Sequence, residues 1–266
     1  MSEKVKIIVA AHKDYQMPSD EIYLPVFVGA SLKDDIPDGF TTDNTGENIS
    51  ELNPFFCELT GLYWAWKNLD ADYIGLAHYR RYFSFNRKAD FDNLLTLEQI
   101  VPYLGRIKVF TPNKRRYYIE TLFSHYAHTF DGDQLDKAEQ IIAHKHPEYS
   151  ASYKRVVQKR SGYMFNMMII QKDLLNTYCE WLFDILYELR NRVDESEMTA
   201  FQKRYPGRVS EILFNVWLHY QITSGKIQKD EIKEIPAVSM EKVNWFKKGM
   251  AFLKAKFFGR KYDKSF

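Results

Sequence analysis

The chain has 266 residues and a formal net charge of +2, which is enough length for one large domain with a substantial core. So small a net charge argues against a general nucleic-acid-binding protein, which would carry a strong excess of lysine and arginine. The sequence has two cysteines, no apolar run of 18 residues and a polar start, so we expect a reduced, cytosolic protein without a signal peptide or a membrane-spanning helix.

The first predicted element is a buried strand over residues 5–11, VKIIVAA, which ends where polar side chains begin. In α/β folds a nucleotide is commonly held just beyond the end of the first strand. Ala11, His12 and Asp14 are therefore predicted to contact a nucleotide.

A second strand and a long polar loop are predicted next. Residues 22–29 form the strand, and Pro25 restricts it to a sheet edge or a bulge because proline cannot donate a ladder hydrogen bond. Residues 34–48 are rich in Asp, Gly, Asn and Thr, which indicates a loop. A polar loop over a sheet edge is a plausible substrate lid.

A helix that is apolar on nearly all sides is predicted over residues 55–68, with Asn53 as its N-cap and a proline at its first position. Glu58 is the one acid of this helix. A carboxylate on a buried helix requires a cation or a hydrogen-bond donor, and Arg80 or Arg81 is the nearest candidate along the chain. Direct contact between Glu58 and a substrate is an equal alternative.

The central element is the apolar run over residues 73–77, YIGLA, which is typical of a strand covered on both faces of a parallel sheet. Ligands of open α/β sheets bind beyond the carboxyl ends of the strands, where this strand is followed by His78, Arg80 and Arg81. Two guanidinium groups and an imidazole suit an anion with several oxygens, such as a diphosphate. The alternative is that both arginines are surface charges.

The remaining pattern alternates between helices and short strands. The predicted elements are a helix beginning with a capping box at residues 96–99, a strand at 107–111, helices at 119–129 and 133–145, a strand at 162–170, a helix at 172–193 and a helix beginning at 209. Asn166 interrupts the apolar strand, so its amide must bind a neighbouring backbone or a ligand. Glu211 falls in the first turn of the last helix, where it can also serve as a partner of the helix dipole.

The C-terminal segment differs from the rest of the chain in charge. Residues 242–264 contain eight Lys or Arg and one Asp, a net charge of +7, so the other residues carry −5. Its apolar side chains at helical spacing are Phe246, Met250, Leu253 and Phe257. This pattern favours a basic amphipathic helix on an anionic membrane surface, and packing of the apolar stripe on the core is the alternative. We therefore predict a main domain over residues 1–238 and a tail over residues 239–266.

Several segments resemble a bacterial domain family of unknown function that is attached to capsular and exopolysaccharide clusters. The segments that carry the likeness, within roughly residues 4–220, are NTGENIS at 44–50, NP at 53–54, CELT at 57–60, YW at 63–64, YIGLAHYRRYF at 73–83, PEY at 147–149, NM at 166–167, YCEWLFDIL at 178–186 and Glu211 with VW at 216–217. Some members of this family are galactofuranosyltransferases.

The resemblance implies a glycosyltransferase with a GT-A-like, Rossmann-like α/β fold that has a mostly parallel central sheet and helical additions. It implies transfer of a hexose, with galactofuranose as one option, from a UDP-linked donor to a lipid-linked or oligosaccharide acceptor in capsule, exopolysaccharide or O-antigen synthesis. We expect such an enzyme to be cytoplasmic and peripheral on the inner face of the cell membrane. The alternative is a non-catalytic glycan- or anion-binding module. A phosphotransferase with His78 as nucleophile is less favoured, because no glycine-rich phosphate loop accompanies it.

GT-A enzymes usually bind a divalent metal through an Asp-x-Asp triplet at the carboxyl end of a central strand. Such triplets occur here at residues 70–72, 90–92 and 131–133, and none is predicted at a strand's carboxyl end. Four histidines between residues 125 and 146 also lack a known metal-ligand spacing. We therefore expect His78, Arg80 and Arg81 to bind the donor diphosphate and no metal or other cofactor to be required, with Mg²⁺ or Mn²⁺ left open.

An inverting transfer also needs a carboxylate that deprotonates the acceptor hydroxyl. The candidates, in order of preference, are Glu211, Glu58 and Asp43. The residues assigned to sugar or acceptor hydroxyls are Asn44, Asn48, Asn53 and Asn166. One departure from the family is that Ile212 follows Glu211 where an arginine is expected in relatives, which weakens the case for an anion clamp at that point.

Overall fold

In the computed structural model, which describes residues 3–241, a nine-stranded mixed sheet runs through the protein and a two-stranded ribbon lies beside it. The strands are β1 Val5–Ala11, β2 Tyr23–Phe27, β3 Thr41–Thr42, β4 Tyr73–His78, β5 Arg81–Phe83, β6 Val109–Thr111, β7 Arg115–Arg116, β8 Ser161–Gly162, β9 Met168–Gln171, β10 Ile232–Glu234 and β11 Ala237–Ser239. The helices are α1 Asn53–Phe56, α2 Leu59–Asn68, α3 Leu97–Ile100, α4 Leu122–Ala127, α5 Gly132–Lys145, α6 Ser150–Val157, α7 Lys172–Arg192 and α8 Tyr205–Thr223.

The main sheet has the order β10-β6-β9-β4-β1-β2-β3, and only β9 runs against the other strands of this path. β5 and β11 form an antiparallel extension from the end of β4. The α/β class with a mostly parallel central sheet is therefore confirmed. Because Ala10 of β1 is in register with His78 of β4, the two strands end side by side. The carboxyl edge of the sheet thus gathers the residues that follow both strands.

Alternate side chains of the strands fill two cores, one on each face of the sheet. Ile8 and Leu76 point into the larger core, which is completed by side chains of α2, α5, α7 and α8. Ile7 and Ala77 point into the smaller core beneath residues 94–110. The fully buried pattern of β4 arises because helices or loops cover both faces, as the continuous apolar run predicts.

Most of the predicted elements occur close to their predicted bounds. β1 covers residues 5–11 as expected, and α7 ends one residue before the prediction. The capping box is present, with Thr96 and Gln99 binding each other's backbone N–H groups. Pro25 lies where β2 is a sheet edge, since the short β3 pairs only with Val26 and Phe27.

The prediction of one helix over residues 55–68 is wrong in one respect, because the segment forms two helices, α1 and α2. Cys57 adopts a left-handed φ of 52°, which separates α1 from α2. The Asn53 amide donates to the Cys57 carbonyl at 2.8 Å and stabilises this break. Asn53 therefore lies inside α1 rather than at its N-cap, and Glu58 precedes α2.

The strand predicted over residues 162–170 is also interrupted. Phe165 and Asn166 have φ values of 72° and 53°, which no strand accommodates. The Asn215 side chain accepts a hydrogen bond from the Tyr163 N–H at 2.8 Å and donates one to the Tyr163 carbonyl at 2.7 Å. These two bonds replace those that a neighbouring strand would form. Regular pairing resumes only in β9, and the intervening segment becomes a loop at the carboxyl edge of the sheet.

α8 begins at Tyr205, with Pro206 in its first turn, and not at residue 209. Glu211 therefore lies in the second turn and is 3% exposed, so its predicted position in the first turn is wrong, and the alternative role as a partner of the helix dipole loses its basis. Among residues 3–241 no helix is both long and apolar enough to cross a bilayer. The predicted basic helix over residues 242–264 lies outside the described residues.

Candidate functional site

The site forms where β4 ends beside the loop that carries Phe165 and Asn166. His78, the last residue of β4, places its Nε2 2.5 Å from the Phe165 carbonyl oxygen. Because a carbonyl only accepts, Nε2 carries the proton and donates it to this bond. The hydrogen bond joins the central strand to a backbone held in the left-handed region, and both sides of the site are fixed by it.

Arg80 lies in the turn between β4 and β5, and Arg81 is the first residue of β5. The Arg80 guanidinium lies 4.9 Å from the centre of the Tyr79 ring, and its Nη1 is 3.1 Å from the Glu241 carboxylate. The Arg81 guanidinium lies 4.2 Å from the centre of the Phe165 ring and forms no ion pair within residues 3–241. Burial and the neighbouring charge of Arg80 lower the pKa of Arg81. A cation in such surroundings is stabilised by any anion that enters.

Glu58 binds Asn166, the second residue of the left-handed pair. The Asn166 amide donates to Glu58 Oε1 at 2.8 Å and to the Gly207 carbonyl at 3.0 Å, while its Oδ1 accepts from Ser210 at 2.9 Å. All polar atoms of the Asn166 side chain are thus used within the protein. The predicted requirement for a partner is met by backbone and side chains.

The charge of Glu58 is stabilised although the carboxylate is half-buried. Burial acts to raise the pKa of this carboxyl, but the positive charges of His78 and Arg208 and the hydrogen bond from Asn166 outweigh burial and lower the pKa. Glu58 is therefore a carboxylate at neutral pH. Asn166 donates the hydrogen bond to Glu58, so the predicted pairing of Glu58 with Arg80 or Arg81 is wrong.

Glu211 is a second carboxylate of the site and is fully engaged. Its Oε1 accepts from Arg208 Nη1 at 2.7 Å, and its Oε2 accepts from the Phe165 N–H at 3.0 Å. Burial acts to lower the pKa of Arg208, but the carboxylates of Glu211 and Glu58 raise it overall. Glu211 thus holds Arg208 and the Phe165 backbone in place. Both of its oxygens have protein partners.

The first two turns of α8 and the residue just before them, Arg204, contribute side chains that the sequence interpretation missed. Arg204 donates its Nε–H to Cys57 Sγ at 3.1 Å, one helical turn before Arg208. The i, i+4 spacing of the two arginines and the i, i+3 spacing of Arg208 and Glu211 put them on one helix face. Recognising Pro206 as the first-turn residue would have revealed this face, since it moves the helix start to residue 205.

The predicted nucleotide-binding residues lie at the end of β1, next to Tyr79. His12 packs edge-on against Tyr79 at 5.2 Å, and Tyr15 stacks on Tyr79 at 3.8 Å. Burial, together with the charges of Lys13, Arg80, Arg204 and Lys33, lowers the pKa of His12. Ala11 is the buried end of β1 and Asp14 is exposed. The fold therefore brings His12 beside Arg80, although 68 residues of sequence separate them.

The other predicted polar residues stabilise loops. Asp43 is fully buried and accepts from the N–H groups of Gly29 and Ala30 at 2.9 and 3.0 Å and from Ser50, so its oxygens are committed to the loop after β3. Asn48 bonds to Gly46 and Ser50 within its own turn. Asn44 is exposed, and Asn53 supports the backbone before Glu58. No described hydrogen bond or ion pair joins any of these four to His78, Arg80 or Arg81.

The three Asp-x-Asp triplets lie away from the end of β4. Asp70 and Asp72 precede the amino end of this strand and pair with Lys4. Asp131 caps α5, and Asp90 binds the Asn93 side chain in the loop before α3. Within residues 3–241 no three His, Cys, Asp or Glu side chains are grouped as ligands for a metal ion.

A cavity of about 430 Å³ is lined in part by Phe165, whose carbonyl oxygen binds His78. Its polar lining comes from Arg87, Asn113, Arg115 and Ser239, and its apolar lining includes Met164 and Phe165. Phe165 thus contacts the Arg81 guanidinium through its ring and is also part of the cavity lining. The arrangement offers an anion site at the strand end, a charged carboxylate beside it and a second compartment for another molecule.

Comparisons with known proteins identify the family and the fold. Among curated proteins there is no match. The bifunctional glycosyltransferase WbbM, solved in its apo form, has 30% sequence identity and a TM-score of 0.81 over 90% of this chain. This chain covers 46% of that structure, so it corresponds to about half of the larger protein. The expected GT-A-like fold is thereby confirmed as a glycosyltransferase fold. A family model described as a domain of unknown function, DUF4422, matches residues 6–222, and the chain therefore belongs to the DUF4422 family.

Proposed function

We propose that this protein is a glycosyltransferase that binds the diphosphate of a nucleoside diphosphate sugar at His78, Arg80 and Arg81. The observation that carries the proposal is the pair of guanidinium groups at the carboxyl end of β4, of which Arg81 has no ion-pair partner within residues 3–241. The fold shared with WbbM supports the reaction class. A UDP-linked hexose is the proposed donor, and the family resemblance makes galactofuranose the first sugar to test.

The proposed chemistry follows from where charge moves. The acceptor oxygen attacks the anomeric carbon, the bond to the nucleoside diphosphate breaks, and the departing diphosphate gains negative charge. Arg80 and Arg81 stabilise that charge more strongly than they stabilise the bound donor, which lowers the barrier. A carboxylate takes the acceptor proton, and the configuration at the anomeric carbon inverts.

We propose Glu58 as this carboxylate, ahead of Glu211. Both Glu211 oxygens are hydrogen-bonded and the side chain is 3% exposed, whereas Glu58 is half-buried and uses Oε1 alone in its contact with Asn166. Its lowered pKa keeps it deprotonated, as a base must be. The order predicted from the sequence is thus reversed in the proposal, because the structure commits Glu211 to Arg208.

The acceptor compartment in this proposal is the cavity lined by Arg87, Asn113 and Arg115, which shares Phe165 with the proposed diphosphate site. We propose a lipid-linked or oligosaccharide acceptor of surface-polysaccharide synthesis, handled at the inner face of the cell membrane. The basic residues 242–264 supply a membrane-binding sequence for that location. No resident metal is part of the proposal.

The test is a donor screen in which purified protein is incubated with nucleotide sugars and released UDP or GDP is measured with and without EDTA. Release that survives EDTA and falls at least about 100-fold in Arg81→Ala supports the proposal. Arg106→Ala is the matched control, because Arg106 is an exposed arginine that precedes β6 at the opposite edge of the sheet.

Release that EDTA abolishes, or that Arg80→Ala and Arg81→Ala both leave intact, contradicts arginine-assisted departure. A second candidate, a glycan- or anion-binding module, gains support if donors and diphosphate bind and no sugar is released.

A further inference from the structure

A strongly basic surface lies beside the cavity and is built from two distant segments. Residues 113–119 and 151–162 together contain no Asp or Glu. We call this surface the basic ridge, and its cations are Lys114, Arg115, Arg116, Lys154, Arg155, Lys159 and Arg160. The whole chain carries +2 and residues 242–264 carry +7, so this ridge belongs to a body whose net charge is −5.

The ribbon of β7 and β8 holds the two segments together. Arg115 pairs with Gly162 and Arg116 pairs with Ser161 in antiparallel register. Arg160 adds a side-chain bond, donating from Nη1 to the Tyr118 carbonyl at 3.2 Å. The cations are therefore presented by fixed backbone rather than by a chance approach of loops.

The charge of the basic ridge is largely uncompensated. Within the described part of the chain its one ion pair joins Lys154 to Glu139 at 3.9 Å. Glu120, the nearest acid in sequence to the first segment, is buried and accepts from His125 and His128. Burial and the charges of Lys114 and Arg155 lower the pKa of Lys159, as expected where like charges are crowded.

Two apolar side chains project from the same ridge. Tyr118 is 78% exposed and Ile119 is 62% exposed, which makes them the most exposed large hydrophobic residues of the described chain. Tyr118 also adopts a left-handed φ of 49°, a conformation that costs a non-glycine residue free energy. Adjacent exposed apolar side chains within a cationic surface are typical of proteins that rest on anionic membranes.

The basic ridge and Glu241, the last described residue, lie at the same edge of the sheet. Residues 113–119 follow the carboxyl end of β6, which runs parallel to β4. Glu241, the last described residue, pairs with Arg80 at the carboxyl end of β4. Residues 242–264 therefore start from the edge of the sheet that carries the basic ridge, and Arg115 of the ridge also lines the cavity.

We propose that the basic ridge, with Tyr118 and Ile119 at its tip, is a membrane-contact surface that binds an anionic lipid bilayer. The cations attract anionic headgroups, and the tyrosine and isoleucine insert among the headgroups and the first acyl carbons. Contact through this surface turns the cavity mouth at Arg115 toward the bilayer. Binding of this surface to a bilayer requires neither a sugar donor nor an acceptor, so it can be measured separately from transferase activity.

The first test compares two triple variants of the full chain on vesicles of phosphatidylcholine with and without phosphatidylglycerol. Arg116→Gln, Arg155→Gln and Lys159→Gln together remove three ridge cations, and we expect about tenfold weaker binding to the anionic vesicles. The matched control, Arg106→Gln, Lys226→Gln and Lys229→Gln, removes three exposed cations that precede β6 and β10 at the opposite edge. Equal binding by both triple variants would overturn the proposal.

The second test locates the contact independently of the tail. An environment-sensitive fluorophore is attached to Ile119→Cys and, as control, to Val101→Cys, which replaces another exposed apolar residue before the amino end of β6. Wild-type protein measures background labelling of Cys57 and Cys179. We expect a blue shift at residue 119 and none at residue 101 on anionic vesicles. A fluorophore at residue 119 that stays in water while the protein is vesicle-bound would overturn the proposal.

Discussion

The two edges of the central sheet differ in how completely their cations are paired: at the carboxyl edge Arg80 and Arg208 have acid partners, whereas Arg81 has none within residues 3–241. At the amino edge, cations and acids are matched: the Lys4 ammonium lies 3.6 Å from Asp70, its backbone N–H donates to Asp72 at 2.7 Å, and Lys108 lies 2.6 Å from Glu231. At the carboxyl edge, Arg81 faces the Phe165 ring. This difference supports the proposal that the carboxyl edge receives an anion, whereas the ion pairs of the amino edge serve the fold.

The difference has a physical reason. The exposed pair of Lys4 with Asp70 and the partly buried pair of Lys108 with Glu231 each join a cation to an acid within the protein. An exposed ion pair contributes about 1 kcal/mol or less to stability. A partly buried cation without an acid partner costs free energy in the empty protein, and a bound anion recovers it. In the proposed function, the carboxyl edge contributes its charge to ligand binding and to transition-state stabilisation.

The largest expected effect is on activity, in Glu58→Gln at the carboxyl edge. The variant keeps an oxygen for the Asn166 hydrogen bond but loses the basic carboxylate, so we expect the transfer rate to fall about 100-fold or more. The measurement is kcat for sugar transfer, with thermal unfolding as a control for folding. Retained activity in Glu58→Gln together with its loss in a folded Glu211→Gln would assign the base to Glu211.

The next prediction compares one ion pair from each edge. Arg208→Ala leaves the Glu211 carboxylate, 3% exposed, without its cation, and we expect a loss of about 3 kcal/mol in the free energy of unfolding. Lys108→Ala removes the cation of the more exposed Glu231, and we expect a loss below about 1 kcal/mol. Urea denaturation measures both. Similar losses in the two variants would remove the energetic distinction between the edges.

A smaller effect separates side-chain from backbone contributions at Asn166. Both Asn166→Ala and Asn166→Gly lose the bonds to Glu58, Gly207 and Ser210. Of the two replacements, glycine alone adopts a φ of 53° without strain. We therefore expect Asn166→Gly to be more stable than Asn166→Ala by about 1 kcal/mol. Chemical denaturation of the pair checks this. Equal stabilities would mean that the loop relaxes away from the left-handed conformation.

The smallest effect is a titration at His12. Its pKa is lowered from 6.5, so the unfolded chain binds more protons than the folded protein between the folded pKa and 6.5. Stability contributed by neutral His12 is therefore present above pH 6.5 and decreases as the pH falls through that interval. An NMR titration should show the depressed pKa, and inorganic diphosphate should raise it by neutralising the surrounding cations. A pKa that diphosphate leaves unchanged would place the anion elsewhere.

Sequence alone determined the parts of the protein that depend on local patterns. The apolar runs of β1 and β4 specify buried strands because burial on two faces requires continuous hydrophobicity. The residue types after β4 also indicate an anion site, since guanidinium groups bind oxygen-rich anions. The α/β class was predictable for the same reason, from strands that alternate with helical segments.

Tertiary structure decided which residues meet. The pairing of Glu58 with Asn166 spans 108 residues, and no local signal links them. The left-handed Phe165 and Asn166 lie within an apolar run that favours a strand, and contacts with Glu211, Gly207 and Asn215 override that preference. The basic ridge likewise requires β7 to pair with β8, because each of its segments alone is only a short run of charge. Long-range hydrogen bonds and charge neighbours depend on the chain's path through space, and composition does not encode that path.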